Sequence, residues 1–233
     1  MTARYAVYYA PPEDTPLWRK ASAWLGCDAY TGEEPLRPNL QALDGLDLDP
    51  LIADPRGYGF HATLKAPFEL VSDRDESDLL NAASEFASGL SPFNGSIAPA
   101  ALGKFLAFRL QDGDAQMHAL HGACVRAFEP FRKPLSDHDL ERRRRARLTP
   151  EQDARLLAWG YPYIFEDFRF HMTLTGQIHD EALRSRILGA LQDFFESESG
   201  RHSFDGIAIF KQPERGSRFR ILQRFAFGTP ISS

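Results

Sequence analysis

Apolar and polar positions change their period several times along the chain. Arg4 to Ala10 is rich in Tyr and Val and halts at Pro11-Pro12, which predicts a first strand. A helix should follow: Thr15 is a good N-cap, Pro16 suits the first helical position, Leu17, Ala21, Trp24 and Leu25 share a face, and Gly26 can close the end. Residues 27–56 lose that periodicity, with five Pro or Gly residues between Gly32 and Pro50, and read as a long connection. Phe60 to Phe68 predicts a strand. Leu79, Leu80, Ala83, Phe86, Ala87 and Leu90 repeat at helical spacing after it. Gly103 to Leu110 predicts another strand, and Met117, Leu120, His121, Cys124, Val125 and Phe128 form a helical stripe ending near Pro130.

The second half repeats the mixture. Thr149-Pro150-Glu151-Gln152 is a capping-box pattern that opens a helix running to Gly160. A strand over Phe168 to Thr175 precedes a helix whose apolar face is Leu183, Ile187, Leu188, Leu191, Phe194 and Phe195. Strands near Phe204–Phe210 and Phe219–Phe227, joined by a turn over Pro213–Ser217, end the chain. Two successive sets of strands and helices imply an α+β protein, a single domain over 1–233 with lobes at roughly 1–110 and 111–233, exchange of strands between them being allowed.

What distinguishes the two sets is a shared pentapeptide, Phe60-His61-Ala62-Thr63-Leu64 and Phe170-His171-Met172-Thr173-Leu174. Side chains alternate along a strand, so each copy sends Phe and Leu to one face and His and Thr to the other, with Lys65 and Thr175 next in line. Two such strands around one cleft bring together two imidazoles and two hydroxyls. In-line displacement at phosphorus uses separate proton partners for the attacking and leaving oxygens, and two histidines supply both. Imidazole, with an unperturbed pKa of about 6.5, can serve in either protonation state. Thr63 and Thr173 would donate to the non-bridging oxygens, with Lys65 and Thr175 assisting.

Paired His-x-Thr-hydrophobic motifs on strands of two repeated lobes resemble the two-histidine (2H) phosphoesterase superfamily, which includes bacterial RNA 2',3'-cyclic phosphodiesterases and the so-called 2'-5' RNA ligases. The wider text, Arg56 to Phe68 and Trp159-Gly160-Tyr161-Pro162 before Phe168-Arg169-Phe170-His171, is similar to a branch often encoded with phosphonate-degradation enzymes. The resemblance implies two pseudo-symmetric lobes of antiparallel sheet, helices outside, and a cleft between them carrying the His-x-Thr strands. It further implies metal-independent hydrolysis of a small cyclic phosphodiester, a phosphorylated ribose cyclic phosphate leading, with one histidine activating water and the other protonating the leaving alkoxide, in either assignment. Two alternatives stand beside it, an RNA-end phosphodiesterase or 2'-5' ligase and a non-catalytic nucleotide-binding module. The longer stretch between the motifs, including Phe131 to Tyr163, departs from the RNA-processing members.

Composition narrows the partners. A net charge of −5 does not suit a protein that coats extended nucleic acid or an anionic membrane, whereas a small phosphorylated substrate needs only local positive charge. Local charge is present in Arg142 to Arg145 with Arg147. The run reads either as a solvated helix face paired with Asp137, Asp139 and Glu141, or as a clamp in which Arg143 and Arg147 grip a second phosphate. Tyr58 and Tyr161 are candidates to stack on a sugar or base, or else loop anchors, as is Tyr163. Neither His-x-His-x-Asp-His nor His-Glu-x-x-His occurs, and of His118 and His121, spaced i and i+3, His121 falls on the apolar stripe and reads as core, so no metal or other cofactor is expected. With two cysteines, no export signal and no long apolar run, the expectation is a cytoplasmic protein.

Overall fold

The structure, a computed structural model, describes residues 3–228; the two ends of the domain expected over 1–233 lie outside the described residues. Eight strands form one antiparallel sheet: β1 Arg4–Tyr9, β2 Ala62–Phe68, β3 Phe93–Leu102, β4 Phe105–Leu110, β5 Met172–Thr173, β6 Gly200–Phe204, β7 Gly206–Gln212 and β8 Arg220–Ala226. Their spatial order is β6-β3-β4-β5-β2-β1-β7-β8. The α+β class therefore holds. β6 and β7 stand six places apart in that order yet are joined by Asp205 alone. A flat sheet would separate them by roughly 29 Å, far beyond one residue's reach, so the sheet curls. Contacts across the curl agree: the Tyr9 hydroxyl lies 2.6 Å from His202 Nε2, and its ring packs edge-on to Phe204.

Among the described residues seven α-helices accompany the sheet: α1 Pro16–Leu25, α2 Asp49–Arg56, α3 Glu76–Ser88, α4 Asp114–Ala127, α5 Asp137–Arg144, α6 Pro150–Trp159 and α7 Glu181–Phe194. The expected caps are present. Thr15 Oγ1 accepts from Trp18 N, Gly26 ends α1 in the left-handed region, and Thr149 and Gln152 complete a capping box on α6. Helices α3, α4 and α7 lay their apolar stripes on the sheet, with Leu79, Ala83, Met117, Cys124, Ile187 and Leu191 all buried. His121 belongs to this core: its ring lies parallel to Phe168 at 3.9 Å, and its Nε2 accepts from Phe165 N at 3.3 Å.

Three sequence expectations change. The 27–56 connection contains α2, whose Pro50 occupies the first turn, where no amide donor is needed. Phe204–Phe210 is two strands, broken at Asp205 where the chain crosses the curl. Strand β3, Phe-Asn-Gly-Ser-Ile-Ala-Pro-Ala-Ala-Leu, carries too little β-propensity to be read as a strand, but it is held by β4 on one side and β6 on the other. Pro99 is tolerated because the β6 pairing stops at Ile97, so no ladder bond is lost there.

Candidate active site

At the middle of the sheet β2 and β5 pair through Ala62 and Met172, both buried. Continuing that antiparallel register one residue each way sets His61 opposite Thr173 and Thr63 opposite His171. Both His-x-Thr pairs line one cavity of about 500 Å³. The regular part of β5 is shorter than the expected Phe168–Thr175 strand. Leu174 N and Thr175 N both donate to Leu106 O, at 2.9 and 3.1 Å, which ends the regular ladder.

The imidazoles are held in the same way. His61 Nδ1 donates to Gly59 O at 2.9 Å and His171 Nδ1 donates to Arg169 O at 2.7 Å. A carbonyl can only accept, so each ring carries its proton on Nδ1 when neutral and leaves Nε2 as the working atom. Thr63 Oγ1 lies 3.4 Å from His61 Nε2. Gly59 is needed for this posture: its φ is +73°, and a Cβ there would sit 2.8 Å from that of Ala29. Burial lowers the His61 pKa to about 4, with the Gly59 carbonyl acting upward and the nearby His171 downward. His171 is also lowered, by burial first and by the charge of Arg109, against the Arg169 carbonyl. Both rings therefore rest neutral at pH 7, as acceptors ready to receive a proton.

Tyr58, Tyr161 and Arg143 also reach the cavity. Tyr58 stacks on Phe219 at 5.2 Å between ring centres, and the Arg143 guanidinium lies 5.3 Å above the Tyr161 ring. Lys65, Thr175 and Arg147 do not line it. The β1–β2 pairing is irregular between Tyr8↔Thr63 and Val7↔Lys65, two steps of β2 against one of β1, and this bulge reverses the alternation after Thr63. Lys65 is consequently buried, donating to Glu129 Oε2 at 2.8 Å and Val125 O at 3.1 Å, while Ala66 and Pro67 take the cavity wall. Thr175 is buried too, its Oγ1 accepting from Leu106 N and donating to Gly176 O. Arg147 lies exposed beyond α5 with φ of 52°.

The arginine run splits between its two readings. Arg144 pairs with Asp153 at the surface, Arg142 bonds Asp139 while edging the cavity, and Arg143 enters it. Three cavity residues with polar or charged side chains, Arg4, Tyr8 and Asp54, were not candidates from sequence. For Arg4 and Tyr8 the signal was a charged residue and a tyrosine at alternate positions of β1, informative only once β1 is known to lie beside β2. Among the described residues no group of three or more His, Cys, Asp or Glu side chains is placed to hold a metal ion, and no helix is long and apolar enough to cross a membrane.

Residues 63–220 match the family described as "Protein of unknown function (DUF1045)". The chain belongs to that family. Among curated proteins it is 35% identical over 229 residues to the ribose 1,5-bisphosphate phosphokinase PhnN of Janthinobacterium sp. (strain Marseille), a match covering 96% of this chain and 51% of that protein. The chain thus spans about half the length of the curated relatives it matches. Among solved structures it is similar to TT0787 of Thermus thermophilus, with TM-score 0.47, 12% identity and coverage of 97% and 99% of the two chains. It is also similar to E. coli LigT complexed with 3'-AMP, with TM-score 0.45, 11% identity and coverage of 97% and 99%.

Proposed function

We propose that this protein opens a small cyclic phosphodiester to a phosphomonoester by acid–base catalysis between His61 and His171. The observation that carries the reading is the matched pair of imidazoles, each anchored through Nδ1 to the carbonyl two residues back, in one cavity with Thr63 and Thr173. One neutral Nε2 takes a proton from water as the water oxygen bonds to phosphorus. The ring P–O bond breaks on the opposite side, and the other histidine, protonated in the substrate complex, gives its Nε2 proton to the leaving alkoxide. The two rings end with their protonation states exchanged and reset through solvent. Thr63 and Thr173 donate to the non-bridging oxygens as charge builds there.

The 2H resemblance, its phosphonate-associated branch, and pseudo-twofold lobes related about the Ala62–Met172 pair belong to this reading. Three strands stand on either side of the β5–β2 pair, and strands from both halves of the sequence contribute to each side. A phosphorylated ribose cyclic phosphate is the substrate we favour, in keeping with relatives whose printed name concerns a ribose bisphosphate. Their kinase name is not carried over, because the match takes in half their length and this sequence has no Gly-x-x-x-x-Gly-Lys-Ser/Thr phosphate loop. A second reading, an RNA or nucleotide 2',3'-cyclic end as substrate, is favoured by the aromatic side chains of Tyr58 and Tyr161 in the cavity wall, against which a base can pack.

The test is turnover of ribose 1,2-cyclic phosphate, its 5-phosphate and nucleoside 2',3'-cyclic phosphates by EDTA-treated enzyme, with His61→Ala and His171→Ala as controls. Each substitution should lower kcat at least about 100-fold while circular dichroism stays unchanged. Full activity in either variant overturns the mechanism. Steeply salt-dependent binding of oligonucleotides would select the second reading.

A further inference from the structure

The cavity that holds the histidines continues into a second chamber of about 200 Å³, and the two share Arg4, Pro67, Arg142 and Arg143. Most cations in the second chamber already have carboxylate partners. Arg215 bonds Asp139 at 2.9 Å and Glu69 at 3.3 Å, Lys133 lies 3.5 Å from Glu69, and Arg142 is 3.0 Å from Asp139. Arg4 and Arg143 differ. Arg4 Nε donates to the neutral amide oxygen of Gln212 at 2.7 Å, and its guanidinium lies 5.6 Å over the Phe219 ring. Arg143 Nε is buried with no hydrogen-bond partner.

Two half-buried guanidiniums with no carboxylate hydrogen-bonded to either are an unfavourable arrangement for the protein alone. Burial lowers the pKa of both; for Arg143, Tyr161 and Asp139 act upward against the charges of Arg142 and Arg4. An anion between them would relieve that repulsion and occupy the free Arg143 donor. We propose that Arg4 and Arg143 form a second anion subsite, which takes a phosphomonoester on the same substrate whose cyclic phosphodiester lies between His61 and His171. Two positive charges with no carboxylate bonded to them match a dianion better than a monoanion, and the planar guanidinium fork matches phosphate oxygens. The subsite lies where the two chambers meet, so the substrate class is a compact sugar with its second phosphate on a carbon remote from the cyclic ester. This assignment rests on the cyclic-phosphodiester reading for its substrate, but not for its anion site.

The experiment has two arms. In the first, kcat/KM for ribose 1,2-cyclic phosphate is compared with that of its 5-phosphate; the wild-type protein should prefer the 5-phosphate by about 10- to 100-fold, the range of a charged hydrogen-bonding interaction. Arg143→Gln and Arg4→Gln should each collapse that preference to about threefold or less, and Arg143→Lys, which keeps the charge and loses the fork, should fall between. In the second arm, ribose 5-phosphate is titrated calorimetrically into the His61→Ala/His171→Ala protein, which lacks both imidazoles. It should bind, and adding Arg143→Gln should weaken that binding at least about tenfold. Binding that depends on Arg143 without turnover of any cyclic ester would overturn the catalytic reading and leave the subsite standing. Turnover with no preference for the second phosphate, and binding indifferent to Arg143→Gln and Arg143→Lys, would overturn the subsite alone.

Discussion

The ring of Tyr8 lies 3.9 Å from that of His61, the two planes inclined by only 20°. Tyr8 is almost wholly buried and pairs across the β1–β2 ladder with Thr63, so its face clamps one side of the imidazole while Gly59 O holds Nδ1. Together these fix the direction of Nε2. A proton-transfer atom displaced by an ångström can cost about 100-fold in rate, so under the proposed mechanism the stacking should have a kinetic consequence.

Replacing Tyr8 with Phe keeps the flat ring, whereas Tyr8→Leu removes it. The Leu variant should lose about tenfold more kcat than the Phe variant, with little difference in KM between them. Nitrogen-15 chemical shifts of His61 should report the Nδ1–H tautomer in the wild-type and Phe proteins and a tautomer mixture in the Leu protein. Equal kcat in the two variants would remove the positioning role.

Burial, the first cause in each, lowers both histidines proposed as acid and base below 6.5, His61 to about 4. A lowered pKa means the imidazolium needed as acid becomes scarce as pH rises, its population falling about tenfold per pH unit above the pKa. The kcat/KM profile of the free enzyme should therefore be bell-shaped, with its maximum on the acid side of 6.5. A bound phosphodiester anion raises the imidazole pKa, so the kcat profile should lie at higher pH than that of kcat/KM. Rates measured from pH 4 to 8 check this; a kcat/KM maximum above about 7.5 contradicts it.

Lys65 provides a contrast between stability and chemistry. Its ammonium is buried against Glu129 and Val125 O, and Glu129 keeps a second partner in Arg132 at 2.6 Å. Lys65→Met fills similar space, removes the charge and leaves Glu129 paired. It should lower unfolding stability by about 2 kcal/mol in urea titration and change kcat/KM less than about threefold. A loss of 100-fold or more with unchanged stability would return Lys65 to the cleft.

The caps of α1 and α6, the apolar stripes of α3, α4 and α7, and the two His-x-Thr motifs are legible without the fold, because they are written in residues a few positions apart. Capping needs one side chain and an amide three residues on, and a helix stripe or strand alternation follows from a fixed local period. On that basis His61, Thr63, His171 and Thr173 were legible as a set. Tertiary structure decided which neighbours joined them. Strand pairing sets the Ala62–Met172 register and brings Tyr8 beside Thr63, with Arg4 farther along the same strand, across more than fifty residues of sequence. The bulge after Thr63 is a property of two strands of unequal length in register, so local alternation placed Lys65 on the wrong face. Thr175 was claimed by Leu106 N, a backbone amide left without a ladder partner where β5 ends. In the arginine run, Arg142 finds Asp139 on α5 itself and Arg144 reaches Asp153 on α6, whereas Arg143 is half-buried with its Nε unpartnered, which only the packing around the cavity reveals.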